Sequence, residues 1–222
     1  MPRARTLASP QSFKVVKHLL GHRIGTQLGV SEKTGVSLYQ VHVVIERLRS
    51  LEIIHEDRRR GARFVVRDPY RLLDALAFDR PLVELSAGSL RPEVGSLADA
   101  ERLIRTVARK TKADYAFTCF AGLSKYLEYY LSYPAIHVYS GKSESLMRAI
   151  PEGRGPVTTF FLQPDSNAVL SGIREVGGCS VVDPIQVVID LYCLGDEGRD
   201  GAIKLYEVLE RKDVKRDKWR VT

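Results

Sequence analysis

The stretch TGVSLYQVHVVIERLRSLEII, Thr34 to Ile54, decides how the first third of the chain is read. Thr34-Gly35-Val36 predicts a tight corner between two helices, because Gly35 accepts a positive φ without steric cost. Ser37 is a good N-cap, and Gln40 three residues later completes a Ser-x-x-Gln capping box. The spacing therefore predicts a helix from Leu38 to about Leu51. At about 100° per residue, Leu38, Val41, Val44, Ile45 and Leu48 share one face and are expected to pack into a core. Tyr39, Gln40, Val43, Glu46, Arg47 and Ser50 take the opposite face. Its first half offers a phenol, an amide and a small apolar group, which suit adenine edges and thymine methyls in a major groove; Arg47 suits a phosphate or a guanine. A plain amphipathic helix with a mixed solvent face is the alternative.

The flanking sequence bears on that choice. Upstream, Ser9-Pro10 opens an expected helix with Phe13, Val15, Val16, Leu19 and Leu20 on one side, ending near Gly21. A second short helix is expected within Thr26 to Lys33, interrupted by Gly29. Downstream, Ile53 to Glu56 reads as a strand, Asp57 to Ala62 as a turn, and Arg63 to Arg67 as a returning strand. Arg58, Arg59 and Arg60 stand at the expected tip, with Arg63 just beyond. Three short helices followed by a basic hairpin predict a winged helix-turn-helix, in which the third helix enters the major groove and the wing touches backbone or minor groove. Arginine suits the wing because its planar fork clamps phosphate through two bonds.

Charge is divided in the same sense. Residues 1–75 hold 14 Lys and Arg against 7 Asp and Glu, whereas residues 76–222 hold 20 of each, so the first third carries the entire net charge of +7. A basic head on a neutral body is the footprint expected of a polyanion-binding module. With 44% hydrophobic and 27% charged residues among 222, the composition is that of an ordinary globular protein of one or two domains. There is no apolar run of membrane-spanning length and no signal-peptide core, so a cytoplasmic protein without a membrane partner is expected. Cys119, Cys179 and Cys193 are odd in number and far apart, which argues against a disulfide framework or a metal knuckle and for buried small hydrophobes.

Asp68-Pro69 predicts the start of a bridging helix, and Glu84 to Ser96 a loop or edge segment. Beyond it helix and strand signals alternate. Helices are expected over Ser96–Lys110, Gly122–Leu131, a turn at Ser143–Met147, Ile185–Leu194 and Asp200–Arg211. Strands are expected over Tyr115–Cys119, Ile136–Tyr139 and Val157–Leu162, while Val169–Val176 has no clear pattern. This alternation predicts a mixed α/β domain with a small sheet. Enzyme motifs are incomplete in it. Gly88-Ser89 and Gly95-Ser96 are followed by no Asp-x-Asp, and Ser140-Gly141-Lys142-Ser143 ends like a phosphate loop but lacks the first glycine of that pattern, the Ala135-Ile136 stretch before it holding none. Asp213-Val214-Lys215 lies in a polar tail, and of the five histidines, His18, His22, His42, His55 and His137, only the last lies in this domain, so no metal-ligand spacing arises there. No catalytic residue, metal or cofactor is expected. Gln186 and Asp190, at i and i+4, predict a side-chain hydrogen bond that orders their helix around a half-buried carboxylate.

The order of elements is similar to that of a known family, together with Tyr115-Ala116-Phe117-Thr118 and Ala121-Gly122, Val138-Tyr139, Phe161-Leu162-Gln163-Pro164-Asp165, Val182-Asp183-Pro184-Ile185-Gln186-Val187-Val188-Ile189-Asp190-Leu191 and Gly198-Arg199-Asp200-Gly201-Ala202. These stretches resemble the AbiEi-type antitoxins, transcriptional regulators of type IV toxin-antitoxin systems. The resemblance implies a winged-helix head that binds operator DNA, usually repressing its own operon, and a C-terminal domain that antagonises a nucleotidyltransferase-like toxin.

The expectation is thus an α+β protein: a winged helix-turn-helix over residues 1–80 and a mixed α/β antitoxin-like, effector or dimerisation domain over 81–222. The expected function is sequence-specific transcriptional regulation on double-stranded operator DNA, by a homodimer, with a toxin as further partner. Thr34, Ser37, Tyr39, Gln40, Val43, Arg47, Arg58, Arg59, Arg60 and Arg63 are the candidate DNA-binding residues, and Gln186 and Asp190 the structural helix pair. Two alternatives stay open: a ligand-sensing or toxin-neutralising binding protein without its own operator, and a nucleic-acid enzyme with a winged-helix head.

Overall fold

The computed structural model of the chain describes residues 7–57, 63–128, 133 and 135–217. The protein is α+β, and its chain divides into two compact units, Met1–Pro81 with Ser166–Ala168, and Leu82–Asp165 with Val169–Thr222.

In the first unit the order is α1 (Pro10–Gly21), β1 (Ile24–Gly25), α2 (Gln27–Thr34), α3 (Leu38–Ser50), β2 (Ile54–Asp57), β3 (Arg63–Val66) and α4 (Pro69–Asp79). Phe13, Val15, Val16, Leu19 and Leu20 of α1 are buried with Val41, Val44, Ile45 and Leu48 of α3 and Leu72, Leu73 and Leu76 of α4. Full burial of each such aliphatic side chain contributes about 1.5–3 kcal/mol. Leu38 departs from the expected core face: it is 49% exposed. It stands in the first turn of α3, where the neighbouring helices no longer cover that side.

β3 lies between β1 and β2 and is antiparallel to both, with Ile24 opposite Val65 and Ile54 opposite Val66. The two-residue β1 is too short for an alternating signal and was not expected from sequence. Arg23 fixes it in place, giving its Nε to Val66 O at 2.9 Å and receiving Val66 N at its own carbonyl, 2.8 Å. Gly29 does not interrupt α2; the helix runs through it, and a Cβ there would sit 3.2 Å from the capping Thr26 Oγ1.

The second unit is built on a six-stranded mixed sheet. Its strands are β4 (Ser86–Leu90), β5 (Ala116–Thr118), β6 (Ala135–Tyr139), β7 (Thr158–Leu162), β8 (Arg174–Val176) and β9 (Cys179–Val181), in the order β4-β7-β6-β5-β9-β8. Its helices are α5 (Leu97–Thr111), α6 (Cys119–Tyr126), α7 (Ser143–Arg148), α8 (Asn167–Leu170), α9 (Pro184–Cys193) and α10 (Asp196–Asp217).

Several expectations are corrected here. Of the two readings of Glu84–Ser96, the edge segment is the one that forms, as strand β4, so this expectation stands and the following ones change. Cys119, with a φ of 50°, turns the chain straight from β5 into α6, so that helix starts three residues earlier than expected and ends at Tyr126. The unclear segment after Val169 forms the β8–β9 hairpin, Arg174 opposite Val181, around Gly177 and Gly178. Gly195 ends α9, but α10 starts directly after it at Asp196, four residues before the expected start. That close succession needs Gly198: a Cβ there would lie 2.0 Å from the Leu191 carbonyl oxygen, so α10 can pack against the end of α9 only without a side chain at this position. All three cysteines are buried, and none is in a disulfide.

Candidate nucleic-acid interface

The corner ahead of α3 is held by short-range bonds. Thr26 caps α2, accepting from Gly29 N at 3.0 Å. At its other end Gly35 takes φ 66°, and its N–H reaches Ser31 O at 2.9 Å. The Thr34 hydroxyl donates to Val30 O at 2.7 Å and accepts from Val36 N at 3.3 Å, while the Ser31 hydroxyl donates to Val36 O at 2.7 Å. Val36 is buried beneath the corner. Ser37 then caps α3 by accepting Gln40 N at 3.3 Å. Thr34 and Ser37 thus position the third helix, with their hydroxyls engaged in the turn and the cap.

One side of the first two turns of α3 faces outward, opposite the buried Val41, Val44 and Ile45. Tyr39 is 63% exposed, His42 is exposed, and Gln40 and Val43 are half-buried. With Leu38 they form a surface without an acidic residue from Ser37 to Ile45. His42 was missed in the sequence reading, although its helical angle, about 40° from Leu38 and 60° from Tyr39, places it between them. The first acid, Glu46, forms an ion pair with Arg49 and lies 3.8 Å from His42; Arg49 also reaches Glu56 at 3.0 Å. Glu46 thus shares one guanidinium with Glu56, and the negative charge of this group lies beyond the first two turns of the helix.

Arg47 is placed differently from expectation. Its Nη2 lies 3.3 Å from Asp79 Oδ2 at the end of α4, and the same oxygen accepts Leu7 N at 2.6 Å. Angular position put Arg47 opposite the core, but α4 comes close enough to recruit the guanidinium. Arg71 of α4 donates to the Leu51 and Glu52 carbonyls at 3.0 and 3.4 Å, which secures the C-terminal end of α3. Arg63 is exposed on β3, in register with Asp57. Arg58, Arg59 and Arg60 lie outside the described residues.

In the second unit the Gln186–Asp190 pair forms as expected, with Gln186 Nε2 donating to Asp190 Oδ1 at 2.9 Å. The carboxylate is fully buried rather than half-buried. Two strands converge on it: Thr118 Oγ1 donates to Oδ2 at 2.7 Å and Tyr139 OH to Oδ1 at 3.1 Å. Three donors compensate the lost hydration of the carboxylate and tie α9 to β5 and β6. This is a structural junction without access for a ligand. The Ser140–Ser143 loop is likewise satisfied internally. Gly141 N donates to Asp114 Oδ2 at 3.2 Å, and Ser143 Oγ to Ser140 O and Leu162 O at 2.7 and 2.8 Å. A carboxylate at the loop amide disfavours a phosphate there. Among the described residues no group of His, Cys, Asp and Glu gathers as a metal site, and no helix is long and apolar enough to cross a membrane.

Comparison with protein-family profiles, curated proteins and solved structures finds no match to this chain.

Proposed function

We propose that the chain is a sequence-specific DNA-binding transcriptional regulator whose first domain works as a winged helix-turn-helix. One observation carries the reading. One side of the capped first two turns of α3 points outward with a phenol, an amide and an apolar group, in the part of the sequence that holds the whole net charge of +7. The order of three helices and an antiparallel strand pair matches the architecture that places such a helix in a major groove. In this reading Tyr39, Gln40 and Val43 face bases, and Arg63 with Arg58, Arg59 and Arg60 contacts the DNA backbone.

One such module makes a small interface, so a homodimer on a two-fold operator is the expected active form. The motifs that resemble AbiEi-type antitoxins extend the proposal to a repressor of its own operon, whose second domain opposes a nucleotidyltransferase-like toxin. Selection of random-sequence duplexes by the full-length protein, followed by salt titration of the enriched sequence, tests the regulator reading. A defined motif whose affinity falls linearly in log K against log salt supports it. Recovery of an unenriched pool rejects it. The antitoxin part is tested by co-expression with a toxin gene next to this one, where rescue of growth is the expected result.

A further inference from the structure

His18 and His22 stand one helical turn apart where α1 ends: the His22 N–H closes that turn on His18 O at 2.9 Å. Residues at i and i+4 lie one above the other on a helix, so their side chains share a side. The two rings meet there, with centres 4.7 Å apart and planes inclined at 50°. Two imidazoles bound to one ion through nitrogens at about 2.0–2.1 Å, at angles of about 90–110°, have their ring centres about 4.5–5.2 Å apart. The observed separation falls in that span, near the right-angle end.

Neither imidazole is used by the fold. Among the described residues no hydrogen bond or ion pair takes a ring nitrogen of either histidine. His22 is exposed, and His18 is half-buried with neither ring nitrogen sealed from solvent. Burial, then the charges of His22 and Lys33, hold His18 down at about 4, so its ring keeps a free lone pair at neutral pH. The C-terminal end of a helix carries partial negative charge and favours a cation; Lys33, in the last turn of α2, opposes one. Arg23, next in the chain, is turned to the Val66 and Arg67 carbonyls.

We infer that His18 and His22 form a binding site for a divalent transition-metal ion that favours imidazole and right-angled ligands, Ni2+ or Cu2+, with water in the remaining positions. The described residues bring no third His, Cys, Asp or Glu to the pair, so the ion is held by two side chains and exchanges with solution. The two rings stand on one side of a helix only in the folded chain, so binding stabilises the fold. Binding requires no DNA, and the site stands or falls apart from the regulator reading.

The test is titration of the full-length protein, free of any affinity tag, with NiCl2 at neutral pH in a buffer that does not chelate, read by calorimetry and by the melting temperature. One ion per chain and a melting temperature that rises with NiCl2 are expected for the wild type. His22→Ala and His18→Gln each leave a single imidazole and are expected to weaken binding about tenfold or more and to abolish the rise. His22 is exposed, so His22→Ala is expected to keep the wild-type circular dichroism, which separates loss of a ligand from loss of the fold. His55→Ala is expected to bind as the wild type does. No heat of binding in a large excess of NiCl2 overturns the inference, as does binding that His22→Ala and His18→Gln leave unchanged or that His55→Ala weakens equally.

Discussion

Arg47 and Asp79, 32 positions apart, meet at 3.3 Å at the end of α4, where the same carboxylate oxygen also accepts the Leu7 amide. The ion pair ties α3 to α4 and makes Arg47 part of the domain's frame. Arg47→Ala is therefore expected to leave discrimination between operator and random DNA within about twofold of wild type. Asp79→Ala removes the acceptor of both groups and is expected to cost about 1–3 kcal/mol in chemical denaturation. A collapse of sequence discrimination in Arg47→Ala, at unchanged stability, would reassign this residue to the base-reading surface.

Under the DNA-binding proposal, Gln40 and Arg63 separate base reading from backbone attraction. Gln40→Ala is expected to lose about 1–3 kcal/mol on the selected sequence and little on random DNA. Arg63→Ala, on the exposed side of β3, is expected to weaken both alike and to reduce the salt slope by about one. Competition binding at two salt concentrations measures both effects. Equal, sequence-blind losses for the two variants would remove α3 from base recognition.

Asp190 tests the second domain. Asp190→Ala leaves the Thr118, Tyr139 and Gln186 donors without their shared acceptor in a fully buried site, and a loss of about 3–5 kcal/mol is expected. Thr118→Val removes one donor and should cost about 1–3 kcal/mol. Urea denaturation followed by near-ultraviolet circular dichroism reads both, and a milder effect of Asp190→Ala than of Thr118→Val would contradict the hub role of the carboxylate.

Acid should weaken the fold through two histidines. Burial holds His137 down at about 4, and its Nδ1 is buried without a hydrogen-bond partner. His18 is also lowered to about 4, first by burial and then by the charges of His22 and Lys33. Between about 6.5 and 4 the unfolded chain binds protons that the folded one refuses, so stability is fully present above about 6.5 and falls as pH drops towards 4. His137 alone contributes a few kcal/mol to that slope. Urea midpoints at pH 7 and pH 5 should differ clearly in the wild type and less in His137→Leu, whose side chain takes up no proton; an unchanged difference would show that His137 is not a source.

What the sequence by itself determined about this protein lies within four or five residues along the chain. The Ser37 cap, the Gly35 corner, the Asp68-Pro69 and Asp183-Pro184 helix starts and the Gln186–Asp190 bond all follow from local geometry and were legible in advance. The charge division was legible too, since it needs only counting. The tertiary structure decided where each helical face is covered. Periodicity gives a residue's angle around α3, but not how far the neighbouring helices extend along it, so Leu38 shares the core's angle and yet remains in solvent, while Arg47 has the solvent's angle and is taken by α4. Distance in sequence has the same effect on Asp190: its i−4 partner could be read, but the two donors that complete its burial, 72 and 51 positions away, are brought to it only by the sheet.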